Sequence, residues 1–217
     1  MVAERSFADG VTGVVLCGGQ SARMGFDKAA ARVLGISLLE AAAAALLPLA
    51  RETLLACGPS ERYRDLGLPL VVDRVPAGGP LAGLEAGLAR ARTEWIAALA
   101  CDMPRANARV FEALLARAVE RDLDACLLET EGGVEPLFAI YRKSCLAPMR
   151  AALAAGERKV TSFEGFATAD GRRVRIAVLP ERDLPGDLAT RGVARNLNTP
   201  EDLALEAPLG RASRSAP

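Results

Sequence analysis

The chain has 217 residues, 51% of them hydrophobic, which is enough apolar side chain for one domain with a sizeable core. Lysine plus arginine and aspartate plus glutamate each number 27, so the chain lacks the basic excess of a general nucleic-acid binder. There is no histidine, which excludes Ser-His-Asp and Cys-His catalysis, phosphohistidine intermediates and His-ligated zinc. Any chemistry must therefore rely on carboxylates, lysine, arginine, backbone amides and a hard cation.

The sequence gives no sign of membrane or export segments. No apolar stretch of about 18 residues lacks charge, and the first ten residues contain Glu4 and Asp9 without an apolar signal-peptide core. The five cysteines are scattered without C-x-x-C spacing, so we expect buried reduced thiols rather than metal binding or redox chemistry. These features predict a cytoplasmic protein that binds neither membrane nor nucleic acid.

Apolar runs of β-type residues alternate with helical patterns along the chain. The predicted strands are Val11–Cys17, Thr53–Cys57, Pro69–Val72, Trp95–Cys101, Ala125–Leu128, Pro136–Tyr141 and Arg175–Leu179. Because these runs are almost continuously apolar, we expect both faces of each strand to be buried. That arrangement is typical of a three-layer α/β fold with a mostly parallel central sheet flanked by helices.

Helix signals lie between the predicted strands. Ser37 and Glu40 form a capping-box pattern ahead of an alanine-rich helix, and Pro80 suits the first turn of the next helix. Further helices are predicted over Leu81–Ala91, Ala108–Val119, Ser144–Ala155 with Gly156 as C-cap, and from Thr199. No linker or repeat interrupts the pattern. We predict an N-terminal extension at residues 1–10, a single domain at 11–206 and a mobile tail at 207–217.

The stretch Leu16–Lys28, which we call the phosphate loop, directly follows the first predicted strand. Gly18 and Gly19 would let backbone amides approach phosphate groups without a side-chain barrier. Arg23 and Lys28 would supply positive charge to a triphosphate. The spacing fits neither the P-loop nor the dinucleotide fingerprint. An ordinary glycine turn with surface charges is the alternative, but the position after the first strand favours phosphate binding.

Two further blocks contain candidate site residues. Asp73 ends a predicted strand and is followed by the glycine-rich stretch Gly78–Leu84, which fits either close approach to a nucleotide or tight helix–sheet packing. Asp102 follows the apolar strand Trp95–Ala100. A carboxylate there is suited to binding Mg²⁺, and it is equally suited to capping the next helix.

These blocks together resemble the molybdenum cofactor guanylyltransferases, within the larger nucleotidyltransferase family. The phosphate loop resembles the pattern L-A-G-G-x-S-x-R-M-G-x-D-K, with Cys17 in place of the usual alanine. Later blocks are similar to G-P-L-A-G-x-x-x-G-L, C-D-M-P, P-L-F-A-L-Y, G-x-R-x-V and N-I-N-T-P-E-D-L of that family. The resemblance runs from about Gly13 to Leu203. One departure is the segment Ala56–Pro59, where the family often has an asparagine that contacts the base.

The resemblance implies a Rossmann-like nucleotidyltransferase fold and assigns roles to individual residues. Catalysis would fall to Arg23, Lys28 and Asp102, with Asp102 also binding the metal. The nucleotide would be bound by Leu16, Cys17, Gly18, Gly19, Lys28, Asp73, Gly79, Pro80, Gly83 and Asp102. The acceptor would be bound by Arg158, Lys159 and Asn198, although Arg158 and Lys159 also fit a solvated surface pair.

The implied reaction transfers GMP from GTP to the phosphate of molybdopterin or the molybdenum cofactor. It would use Mg²⁺, release pyrophosphate and form the guanine dinucleotide cofactor. Molybdenum-insertion and molybdoenzyme-maturation proteins would be its protein partners. The alternatives are a transferase that uses CTP or a sugar or alcohol phosphate, and a non-catalytic carrier that binds nucleotide or cofactor.

Overall fold

The computed structural model describes residues 10–18, 27–33, 35–186, 188, 192–197 and 202. Residues 1–9 of the predicted extension, the predicted tail at 207–217 and the predicted helix start at Thr199 lie outside the described residues. None of the helices among the described residues has the length and apolar character needed to cross a membrane.

Strands of the described chain form one large sheet and one small pair. They are β1 (Val11–Leu16), β2 (Arg32–Val33), β3 (Ile36–Ser37), β4 (Glu52–Ala56), β5 (Leu70–Val71), β6 (Trp95–Ala100), β7 (Ala125–Thr130), β8 (Gly133–Arg142) and β9 (Ile176–Pro180). The large sheet has the order β5-β4-β1-β6-β8-β7-β9, and β2 pairs with β3. All seven predicted strands are present in the large sheet, whereas the β2–β3 pair was not predicted.

The large sheet is mostly parallel, as predicted. β1 lies parallel to β4 and β6, β4 to β5, and β7 to β9. The exception is β8, which runs antiparallel to both β6 and β7. Only Glu131 and Gly132 separate β7 from β8, and a connection of two residues can join only antiparallel strands.

Helices cover both faces of this sheet. They are α1 (Leu38–Leu46), α2 (Gly79–Arg90), α3 (Ala108–Glu120) and α4 (Leu146–Ala154). The predicted capping box at the start of α1 is confirmed, since the Glu40 amide donates to the Ser37 hydroxyl at 3.1 Å and the Ser37 amide donates to the Glu40 carboxylate at 2.7 Å. Pro80 lies in the first turn of α2, also as predicted.

Two apolar cores lie on the two sides of the sheet, and β1 contributes to both. Val11 and Val15 pack in the core that contains α1 and α3, whereas Val14 and Leu16 pack in the core that contains α2 and α4. Neighbouring side chains of a strand point to opposite faces, so an almost continuously apolar strand can fill both cores. This confirms the three-layer α/β architecture.

A buried carboxylate joins three segments at the end of the sheet opposite to the carboxyl end of β1. Asp124 is fully buried and accepts hydrogen bonds from Arg172 at 2.5 and 2.6 Å, from Ser144 at 2.5 Å and from the Arg175 amide at 2.8 Å. Burial alone would raise the pKa of Asp124, but these hydrogen bonds outweigh it and lower the pKa to about 2.

The variant Asp124→Asn is expected to lose about 3 kcal/mol of unfolding free energy at neutral pH, because Arg172 would be left beside an uncharged partner. The folded pKa lies below the unfolded value of about 3.9. The carboxylate therefore stabilises the fold above about pH 4, and this stability is lost as the pH falls towards about 2. Urea unfolding between pH 2 and pH 7 measures both effects, with the exposed Asp65→Asn as control. Equal pH dependence in Asp124→Asn and the unsubstituted protein would contradict this assignment.

Candidate active site at the carboxyl edge of the sheet

Four parallel strands end at the same edge of the large sheet, which we call the carboxyl edge. Asp73 follows β5, Gly18 follows β1 and Asp102 follows β6. Because β8 is antiparallel to β6, its first residues lie at this edge too, and they include Glu135. The strand order therefore places Asp73, Gly18, Asp102 and Glu135 in sequence along one edge, which is where open α/β sheets bind ligands.

The start of the phosphate loop is packed directly against the loop that follows β4. The amides of Cys17 and Gly18 both donate to the Ala56 carbonyl at 3.0 Å. A Cβ atom on Gly18 would lie 2.3 Å from the Gly58 nitrogen, far inside contact distance. Position 18 therefore requires glycine, because the backbones of residues 18 and 58 are in direct contact. The Gly18 amide is already used in the hydrogen bond to Ala56 that fixes the start of the loop.

Two side chains after β4 connect both ends of the phosphate loop. The Arg62 guanidinium donates to the Cys17 carbonyl at 3.0 Å and lies 3.7 Å from the Asp27 carboxylate. The Tyr63 hydroxyl donates to the same carboxylate at 2.7 Å. Asp27 directly precedes Lys28, whose backbone begins a short 3₁₀ turn, Lys28–Ala30. Arg62 and Tyr63 therefore fix the distance between the two ends of the loop.

The middle of the phosphate loop lies outside the described residues. This part includes Gly19 and Arg23, and the side chain of Lys28 is likewise outside the described part. The roles predicted for these three residues therefore stay predictions. Cys17, in contrast, is described: its sulfur is buried and lies 3.7 Å from the sulfur of Cys57.

Asp73 presents an acceptor atom that the described residues do not use. Its amide donates to the Gly58 carbonyl at 2.8 Å, which fixes its backbone beside the phosphate loop. Its Oδ1 atom is buried and has no hydrogen-bond partner among the described residues. Burial, and then the charge of Glu85, raise the pKa of the Asp73 carboxyl. A buried acceptor without a donor costs free energy, so this atom suits a donor group on a ligand.

The glycines in and after the stretch Gly78–Leu84, which follows Asp73, have different structural roles. A Cβ atom on Gly87 would lie 2.6 Å from Val14, so Gly87 allows close packing of α2 on β1. Gly83 lies at ordinary contact distance from Leu16 and from the Asp73 carboxylate. Gly79 has a φ of 64°, in the left-handed region that glycine adopts readily. The alternative of helix–sheet packing therefore explains Gly87, whereas Gly79, Pro80 and Gly83 lie at the carboxyl edge beside Asp73.

Asp102 does not cap the helix that follows it. The N-cap of α3 is Asn107, whose side chain accepts from the Arg109 amide at 2.9 Å. Asp102 lies five residues earlier, directly after β6, and its carbonyl accepts from the Leu197 amide at 2.9 Å. The capping alternative is thus excluded, and the half-buried Asp102 carboxylate stays at the carboxyl edge.

A cavity of about 280 Å³ lies on the far side of Asp102 from the phosphate loop. Its lining includes Glu135, Glu181, Arg195 and Asn196. Asn196 donates to the Glu135 carboxylate at 3.4 Å. Burial, and to a smaller extent the charge of Asp102, raise the pKa of Glu135. The register of β6 and β8, in which Leu99 is paired with Phe138, brings Glu135 and Asp102 to the same edge of the sheet.

The predicted acceptor residues Arg158 and Lys159 are exposed and lie elsewhere on the edge. A Cβ atom on Gly79 would lie 3.3 Å from the Arg158 carbonyl, so this turn packs against the start of α2. Arg158 does not line the described cavity beside Asp102. Asn198 lies outside the described residues. The acceptor role of these three residues therefore stays a prediction.

Sequence reasoning missed several residues of the site. Arg62 and Tyr63 contact the phosphate loop across 35 to 45 positions of the chain, and no local pattern indicates them. Asp27 is part of the loop pattern but was not assigned a role. Glu135 and Asn196 were part of motif blocks but were not assigned a role. Glu135 lies near the start of β8, and this position is at the same edge as Asp102 only because β8 runs antiparallel to β6. The site role of Glu135 could therefore be inferred only once the direction of β8 was known.

The family model for the MobA-like NTP transferase domain matches residues 13–170. The chain belongs to this family. A relative from Carboxydothermus hydrogenoformans, named "Probable molybdenum cofactor guanylyltransferase", is 34% identical over 88% of this chain and 92% of its own length. A relative of the same name from Trichormus variabilis is 35% identical, over 90% of this chain and 89% of its own.

Solved structures of this family and its neighbours share the fold. Molybdopterin-guanine dinucleotide biosynthesis protein A from Archaeoglobus fulgidus superimposes with a TM-score of 0.73 at 24% identity, over 91% of this chain and 97% of its own. The 4-diphosphocytidyl-2C-methyl-D-erythritol synthase from Anaerococcus prevotii gives a TM-score of 0.65 at 13% identity, over 94% of this chain and 98% of its own. The Rossmann-like nucleotidyltransferase fold is thereby confirmed.

The variant Gly18→Ala is expected to weaken nucleotide binding by about tenfold or more, equivalent to about 1.4 kcal/mol. The added Cβ would force the backbones of Gly18 and Gly58 apart and displace the start of the phosphate loop. Titration calorimetry with GTP measures the effect, and urea unfolding checks that the variant is folded. The control is Gly10→Ala, because a Cβ on Gly10 would meet nothing within 4 Å. Equal affinities in the two variants would contradict a role for the Gly18–Gly58 contact.

Proposed function

We propose that the protein transfers GMP from GTP to the phosphate of molybdopterin or the molybdenum cofactor, with release of pyrophosphate. The observation that carries this proposal is the order Asp73, Gly18, Asp102 and Glu135 along the carboxyl edge. In this proposal the nucleotide, its phosphates, a metal and an acceptor would occupy adjacent positions along that edge. The printed names of the curated relatives support guanine and the molybdenum cofactor as the substrates.

The residues on the phosphate-loop side would hold GTP. The buried Oδ1 of Asp73 would accept a hydrogen bond from the nucleoside, which would satisfy an atom that has no partner among the described residues. The N-terminus of α2 has no side-chain cap, and Pro80 carries no amide hydrogen, so the other amides of the first turn could donate to a phosphate group. Arg23 and Lys28 would bind the triphosphate from the phosphate loop.

The acceptor would enter from the cavity beside Asp102. An oxygen of its phosphate attacks the α-phosphorus of GTP, a new P–O bond forms, and the bond from the α-phosphorus to the bridging oxygen breaks. Pyrophosphate leaves with the electron pair of that bond. An ionised phosphate is already a nucleophile and needs no strong general base, which agrees with a chain without histidine. The task of the protein is then to position two phosphates and to neutralise their charge.

The donor set at Asp102 fits Mg²⁺. Asp102 and Glu135 lie at the same ends of the paired strands β6 and β8 and provide carboxylate oxygens, which Mg²⁺ prefers. The described residues contain no group of three or more His, Cys, Asp or Glu side chains that could hold a metal, so further ligands would come from the substrates and water. Mg²⁺ is commonly bound by one or two carboxylates together with substrate phosphates. When bound, the ion would neutralise negative charge that develops on the phosphate oxygens. Asp102 would hold it between the phosphate loop and the cavity.

A nucleotide panel tests the proposal. The purified protein is incubated with molybdopterin, Mg²⁺ and GTP, CTP, ATP or UTP, and pyrophosphate release is measured. We expect release with GTP and little with the other three. Preference for CTP would favour the cytidylyl alternative, and GTP binding without pyrophosphate release would favour a carrier. Release with a sugar phosphate in place of molybdopterin would assign a different acceptor.

The variant Asp102→Ala is expected to lower turnover by about 100-fold or more, because the charge on the reacting phosphates would no longer be neutralised at the right place. Rates are measured against Mg²⁺ concentration, with the exposed Asp65→Ala as control. Near-normal turnover of Asp102→Ala at saturating Mg²⁺ would refute the metal role. Recovery of turnover in Asp102→Glu, at a higher Mg²⁺ requirement, would support it.

A further inference from the structure

Cys17 and Cys57 are the first residues after two neighbouring parallel strands. The residues directly before them, Leu16 and Ala56, are partners in the register of β1 and β4. Neighbouring strands lie about 4.8 Å apart, and disulfides join residues whose Cα atoms are about 4.4 to 6.8 Å apart. The two sulfur atoms are already 3.7 Å apart. The backbone spacing therefore suits a disulfide between them.

Both side chains point to the same side of the sheet. Cys17 and Cys57 belong to the core that contains α1 and α3, so no strand has to rotate to bring the sulfurs together. Cys101 follows β6, on the other side of Cys17 in the strand order, and is also in this core. The thiol of Cys145 is directed to the Asp124 carbonyl at 3.2 Å, in a different part of the chain. Cys126 lies inside β7.

The surroundings make the two thiols chemically unequal. The contact with Cys17, in which either sulfur can be the donor, lowers the pKa of the Cys57 thiol against the effect of burial. The pKa of Cys17 is raised, first through its hydrogen bond with Cys57 and then by burial. Either thiol can therefore donate a hydrogen bond to the thiolate of the other, and the thiolate is the reactive form of cysteine.

The pair is coupled directly to the phosphate loop. Gly18 follows Cys17, Gly58 follows Cys57, and the Gly18 backbone is so close to Gly58 that a Cβ would not fit. A disulfide has a sulfur–sulfur distance of about 2.05 Å. Its formation would shorten the present 3.7 Å separation at the point where the two backbones have no free space. Any backbone movement that accompanies this closure would be transmitted through the Gly18–Gly58 contact to the start of the phosphate loop.

We propose that Cys17 and Cys57 are a modification site, which closes to a reversible intramolecular disulfide with a hydroperoxide and thereby weakens GTP binding. The thiolate of one of the two cysteines attacks the peroxide oxygen, which breaks the O–O bond, releases an alcohol or water and leaves a sulfenic acid on that cysteine. The thiol of the other cysteine then attacks this sulfur, the S–S bond forms and water leaves. The peroxide is reduced and the two thiols are oxidised. The effect on GTP rests on the function proposed above.

The test uses the full chain and hydrogen peroxide. Mass spectrometry of the intact protein is expected to show a loss of about 2 Da, and peptide mapping is expected to show a Cys17–Cys57 cross-link that dithiothreitol removes. GTP affinity, measured by calorimetry, is expected to fall about tenfold on oxidation and to recover on reduction. Cys57→Ala and Cys57→Ser should lose both responses, whereas Cys126→Ala should keep both.

Several results would overturn the proposal. One is a gain of about 16 or 32 Da without a cross-link, which indicates independent oxidation of single thiols. Another is a cross-link between Cys17 and Cys101. A third is a Cys17–Cys57 cross-link that leaves GTP affinity unchanged. The mass measurement needs no nucleotide, so it decides the disulfide even if the reduced protein fails to bind GTP, a result that would refute the proposed function instead.

Discussion

The position of β1 between β4 and β6 is the constraint on which the rest of the structure depends. β1 is buried on both faces and hydrogen-bonded on both sides, so its direction and register set those of its neighbours. Parallel pairing on both sides brings the carboxyl ends of three strands to one edge, where Cys57, Gly18 and Asp102 follow. The site is thus a consequence of strand direction: Asp73, Gly18 and Asp102 are each the second residue after a strand, and Glu135 is the third residue of the antiparallel β8.

Much of the fold could be predicted from sequence because burial on both faces leaves a strong local signal. Apolar runs such as Trp95–Ala100 and the capping box at Ser37 are explained by a few adjacent residues. The pair β2–β3 was missed because each strand has only two residues, and of these four only Ser37 is buried. The reversal at β8 was missed because the strand itself is as apolar as a parallel one. Only the short turn before it determines its direction.

The candidate site was predicted unevenly for a related physical reason. Asp73 and Asp102 closely follow strands, so the sequence indicated their location at the edge of the sheet. Whether Asp102 caps α3 could be decided only from the structure, where Asn107 is the N-cap. Arg62 and Tyr63 act on the phosphate loop from a segment more than thirty residues away. Such contacts depend on how the strands are ordered in space, and the residue types involved are common on protein surfaces.

Electrostatics at the carboxyl edge explains why a divalent cation fits a chain with no net charge. Asp73, Asp102 and Glu135 are carboxylates at the edge, and the substrates of the proposed reaction are themselves polyanions. Two like charges 4 Å apart repel by about 4 kcal/mol at an effective dielectric constant of 20, so several such pairs would prevent binding.

Among the described cations of this edge, Arg62 is bonded to the Cys17 carbonyl and close to Asp27, and Arg195 lies 3.8 Å from Asp202. Their charge is largely used within the protein. We propose that the substrate is neutralised by the phosphate loop, by the exposed Arg158 and Lys159 and by a metal ion at Asp102. The carboxylates that would repel the substrate would attract that ion.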